Sequence, residues 1–77
     1  MTNEEYFLSW AKEYEDTINA LTERIAELRE KLREASPSEL VQLNLRLDSL
    51  YKMRQNSREV MDILLRKAQR ERERIFR

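Results

Sequence analysis

The residues of this chain with the most capacity for chemistry are basic, and they gather at its end. Arg66, Lys67, Arg70, Arg72, Arg74 and Arg77 fall within the last twelve residues, interrupted by Glu71 and Glu73. On a helix, Arg66, Arg70, Arg74 and Arg77 form a row at spacings of three and four, and Arg58 is read in phase with it. Guanidinium groups spaced in this way suit the phosphates of a nucleic-acid backbone, each contact adding salt-dependent affinity. No homeodomain, basic-zipper or helix-turn-helix pattern surrounds the row. The first reading is therefore a charged face that pairs with acids elsewhere in the chain, and nucleic-acid binding comes second.

Catalysis has little to work with. Cysteine and histidine are both absent, which removes thiolate nucleophiles, disulfides, Cys/His zinc sites and the commonest general base. Glycine is absent too, so phosphate-cradling loops and tight hairpin turns are not expected. The Asp and Glu residues are read at polar positions of the helical repeat, where they cannot build the inward-facing metal site of a helix bundle. No catalytic residue, cofactor or metal ligand is expected, and the chain reads as non-enzymatic.

The elements that carry these residues are helices. Phe7, Ala11, Tyr14, Ile18, Leu21, Ile25, Leu28, Leu32 and Ala35 alternate steps of four and three without a miss, which is the seam of a coiled coil. Thr2 with Glu5 fits a capping box, Asn3 is an alternative cap, and the helix is expected over about 3–35. Ser36, Pro37 and Glu39 mark a corner at 36–38, because proline forbids helix at the residue before it and suits the first turn of the next. A second helix over about 37–74 carries Leu40, Leu43, Leu47, Leu50, Arg54, Ser57, Met61, Leu64 and Ala68 in one phase. Asn56 with Glu59 offers a cap for a third helix, but the unbroken phase favours one long helix.

Charge points to the same hairpin. Residues 1–35 hold 9 acids and 5 bases, and residues 36–77 hold 6 acids and 10 bases. Folding antiparallel about Ser36 would set residue i near residue 73 − i. The acidic start would then lie along the basic end, and residues 71–77 would overhang, with Ile75 and Phe76 uncovered by the chain itself.

Two helices with one stripe each leave apolar residues over. Leu8 and Trp10 in the first helix, and Val41, Leu45 and Ile63 in the second, fall off the seam. Together with Ile75 and Phe76 they are the expected partner-binding residues. Covering them by a second hairpin gives the expected fold class: an all-α, antiparallel two-helix coiled-coil hairpin, a single domain over 1–77, dimerising into a four-helix bundle. The outline resembles small dimeric four-helix RNA-binding bundles in architecture only, and no residues carry over.

The expected function is a self-associating, non-enzymatic assembly or adaptor module. The partners expected are a second copy of the chain, and beyond it a heterologous protein. The alternatives are nucleic-acid binding through Arg58, Arg66, Arg70, Arg74 and Arg77, and a small phage-type inhibitor that blocks a larger host protein. With no apolar run long enough for a membrane span and an acidic N-terminus unlike a signal peptide, the expected location is the cytoplasm.

Overall fold

The computed structural model describes residues 2–75, with side chains over 2–74. Helix α1 spans Asn3–Leu32 and helix α2 spans Pro37–Ile75, packed along each other as an antiparallel hairpin 60 Å long and 14 Å across. The length is that of α2 itself at about 1.5 Å per residue. No strand is present among the described residues.

The helix starts follow the caps. Thr2 is extended (φ −77°, ψ 162°), and its Oγ1 accepts from the Glu5 N–H at 3.1 Å. At the corner, the Ser36 carbonyl accepts from Leu40 N–H at 2.9 Å, opening α2 behind Pro37. Thr2→Ala should cost about 0.5–2 kcal/mol of helix stability, while Thr2→Ser should cost much less. Thermal melts that place the two variants together would assign no role to the hydroxyl.

Helix α1 ends at Leu32 rather than near Ala35, and the reason lies in the absent glycine. Helices often close on a left-handed residue, usually glycine, but no residue described here has positive φ. The final turn tightens instead: Arg33, Glu34 and Ala35 N–H groups reach back three residues, to Glu30, Lys31 and Leu32 carbonyls, at 3.3–3.4 Å. Such a turn climbs about 2 Å per residue along the axis before the chain reverses.

The contacts across the hairpin give the register. Arg54 meets Thr22, Lys67 meets Phe7, and Glu4 shares a depression with Arg72 and Glu73. Leu8 and Leu65 share that same depression, and Leu28 and Leu45 share another, so the contacts bracket the expected 73 − i and extend to a few residues beyond it. The overhang expected from residue 71 begins later, and Ile75 (side chain), Phe76 and Arg77 lie outside the described residues.

Every residue assigned to the two stripes is buried or half-buried. Ile25, Leu28 and Leu47 form the core cluster, with Leu32, Leu43 and Leu50 packed around it. Away from the corner the seam narrows to small side chains, with Ala11 and Ala68 buried beside Leu64. The polar middle of the seam is real: Ser57 is buried, and Arg54 is half-buried, donating to Thr22 Oγ1 at 3.3 Å. Helix α2 nevertheless runs unbroken through Asn56, so no third helix forms.

Two expectations about charge are corrected. Among the described residues, every ion pair joins neighbours on one helix, as in Lys12–Asp16 at 3.3 Å and Lys52–Asp48 at 2.9 Å. The opposite charges of the two helices do not meet as direct pairs across the seam; Lys67 instead sits over the Phe7 ring at 5.8 Å. Nor are all acids at outward positions. Glu4 and Glu71 continue the heptad phases of the two seams and are half-buried at the open end, where Glu71 pairs with Arg74 at 3.6 Å.

Candidate interaction surface

Two packed helices present three kinds of surface: the outer back of each helix and the two long grooves between them. The outer back of α2 holds Val41, Leu45 and Ile63, which are 62%, 65% and 46% exposed. These positions project roughly 130° or more from the seam at about 100° per residue, so α1 leaves them largely uncovered, although Leu45 borders a depression shared with Arg24 and Leu28. Farther along, Ile63 sits in a shallow depression ringed by Arg66, Lys67 and Arg70. Arg66 Nε donates to its own helix, at the Asp62 carbonyl. None of the three cations forms an ion pair among the described residues.

The arginine row is thus partly assembled. Arg66 and Arg70 share the Ile63 depression, whereas Arg74 is drawn to Glu71. Arg58 does not join them, because eight residues turn the helix about 80° past two full turns. Arg77 lies outside the described residues.

The grooves differ from one another. In antiparallel pairs, seam-flanking positions of the same letter face the same side, so two sets of heptad positions define two grooves. One groove is flanked by Leu8, Glu15, Thr22 and Arg29 of α1 and by Tyr51, Arg58, Leu65 and Arg72 of α2. Arg54 fills its centre, bonded to Thr22 and lying 5.2 Å from the centre of the Tyr51 ring. Leu8 and Leu65 close its far end beside Glu4 and Arg72.

The other groove is flanked by Trp10, Thr17, Arg24 and Lys31 of α1 and by Arg46, Met53, Val60 and Lys67 of α2. Leu28, Leu45 and Leu50 line a depression there, between Arg24 and Arg46. At the open end Trp10, 46% exposed, stacks on Tyr6 with ring centres 5.1 Å apart, and Tyr6 meets Phe7 edge-on. The sequence singled out Trp10 but not Met53, which is 53% exposed, nor the cations opposite one another across this groove. The signal for them was available as a seven-residue spacing, but the groove they share depends on the register.

No group of three or more acids is placed to hold a metal among the described residues, and no helix there is long and apolar enough to cross a membrane. No known protein family, curated protein or solved structure matches this chain.

Proposed function

We propose that this chain is a non-enzymatic helical assembly module of the cytoplasm that associates with a second copy of itself, giving four helices in the dimer. The observation that carries the proposal is the outer back of α2. Val41 and Leu45 are the most exposed large apolar side chains described, and Ile63 continues their face. Single exposed leucines are ordinary on protein surfaces; here three apolar residues share a helix face in a chain whose own core is a single seam. A slender two-helix rod buries little for its length, and pairing is a common way for so small a chain to gain core.

Light scattering on a size-exclusion column, over a hundredfold concentration range, tests this directly. Wild type should elute as a dimer, and Leu45→Gln with Ile63→Gln should shift it to monomer while helicity by circular dichroism persists. A wild-type monomer at every concentration would sink the proposal. Equal loss of helicity and assembly would instead place both residues in the intrachain core.

The second reading is nucleic-acid binding, favoured by the unpaired Arg66, Lys67 and Arg70 around Ile63. It requires salt-dependent retention of RNA or DNA that Arg66→Gln with Arg70→Gln abolishes. No retention at ~50 mM salt would remove it.

A further inference from the structure

We infer that the groove between Trp10, Arg24 and Lys31 on α1 and Arg46, Met53 and Val60 on α2 is a docking site for an acidic amphipathic helix of another protein. This does not rest on self-association, whose face on the outer back of α2 borders the groove at Leu45.

The inference starts from an electrostatic mismatch. Antiparallel coiled coils gain orientation from opposite charges at the flanking positions that face one another. In this groove the flanks are Trp10, Thr17, Arg24 and Lys31 against Glu39, Arg46, Met53, Val60 and Lys67, four cations and a single acid at the corner. Lys31 and Arg46 border one depression, and Arg24 and Arg46 border the next. Acids enter only at the corner, where Glu34 and Glu39 line the depression with Lys31. Arg24 is paired with Glu27 on its outer side at 3.0 Å, whereas Lys31 and Arg46 form no ion pair among the described residues. Like charges opposed across a groove repel, and a third helix bearing carboxylates on both flanks relieves that repulsion from the middle.

The floor sets the kind of partner. Leu45 and Leu50 give the apolar surface between Arg24 and Arg46, above the buried Leu28, and by heptad position Met53, Val60 and Trp10 extend the same side of the hairpin. An apolar strip between two cationic edges fits the leucine stripe and glutamate flanks of an amphipathic helix. Phosphate backbones would use the edges and leave the apolar strip unmatched. A second copy laid face to face on this groove would bring cations onto cations, which works against the homodimer here. The opposite groove lacks this opening, since Arg54 spans it to Thr22.

The lone tryptophan makes the groove directly observable. The probe is a synthetic helix of about four heptads (~28 residues) with leucine on its seam and glutamate at the flanking positions, beside a twin carrying lysine there. The glutamate peptide should shift Trp10 emission to the blue with a salt-sensitive Kd, and the lysine twin should not. Arg24→Glu with Arg46→Glu should weaken the first peptide at least about tenfold and admit the second. Both substituted side chains lie outside the buried core, and circular dichroism verifies that the hairpin persists. Val41→Gln, on the outer back of α2 and 62% exposed, should bind the glutamate peptide as wild type does, which separates this site from self-association.

Indifference to both peptides up to ~100 µM would overturn the inference, as would equal binding of the two. So would a uridine-rich RNA that competes through Arg24 and Arg46. A concentration-dependent blue shift of Trp10 in the protein alone would show a second copy on this face and would overturn it as well.

Discussion

Leu28→Ala should take away most of this protein's stability and bring it to the edge of unfolding at room temperature. Leu28 is the one fully buried large side chain described, 1% exposed at the centre of the cluster with Ile25 and Leu47. Leucine-to-alanine changes at such sites cost about 2–5 kcal/mol, the lost transfer energy plus that of the cavity left behind. Small domains hold only a few kcal/mol in reserve, near the bottom of the usual ~5–15 kcal/mol range. Met53→Ala is the control, because a side chain 53% exposed and off the self-association face should cost the folded hairpin within about 0.5 kcal/mol. Urea titrations followed at the helical band compare the two. Similar midpoints would mean that the stability of the chain does not reside in the seam between its helices.

Asn56→Pro should be nearly as damaging, through the backbone. Asn56 lies within α2, where its N–H belongs to the continuous helical ladder. Proline there removes that donor and clashes with the preceding turn, at a cost of about 3 kcal/mol or more. The loss would fall beside the buried Ser57, in the thinnest part of the seam, so the arm from Met61 onward should detach from α1. The companion Asn56→Ala has the opposite sign: alanine is the better residue inside a helix, and a few tenths of a kcal/mol (~0.5) should be gained. If Asn56 instead capped a third helix, alanine would cost about 1 kcal/mol. Thermal melts of the two variants decide whether α2 behaves in solution as one rod.

These experiments bear on two levels of organisation. The first concerns the seam, whose residues were all identifiable from spacing alone. Phe7 to Ala35 and Leu40 to Ala68 are buried or half-buried throughout, and even Arg54 and Ser57 keep the phase. A helical repeat is a local property, so a stripe of this regularity must face whatever the helix packs on. The corner was legible for a similarly local reason, since Pro37 constrains its own φ and the residue before it.

The acids at the ends of the seam show where that reasoning fails. Glu4 and Glu71 have a carboxylate's usual preference for water, yet they keep the seam's spacing and are half-buried at the open end. Residue type suggested the outside, while heptad phase dictated the flank of the core. Likewise, the overall charge of each half pointed to pairing across the hairpin. The direct pairs instead form along each helix, at three- and four-residue spacing. Neighbours on a helix are already held within reach, whereas a cross-helix pair must order two long exposed side chains.

By itself, the sequence determined that the chain forms two helices, where the first residues of each are capped, which stripe is buried and which leucines are left outside. All of these follow from interactions within a few residues, or from the amphipathic period. Only the tertiary structure decided which side chains meet across the hairpin, because that depends on the path of the connector through Arg33, Glu34 and Ala35 and on how the two seams interlock. The register in turn sets Thr22 beneath Arg54 on one side of the hairpin and Arg24 beside Arg46 on the other. One groove is filled at its centre by Arg54 and the other has a depression between Arg24 and Arg46, because side chains far apart in sequence are set side by side only when the two helices pack.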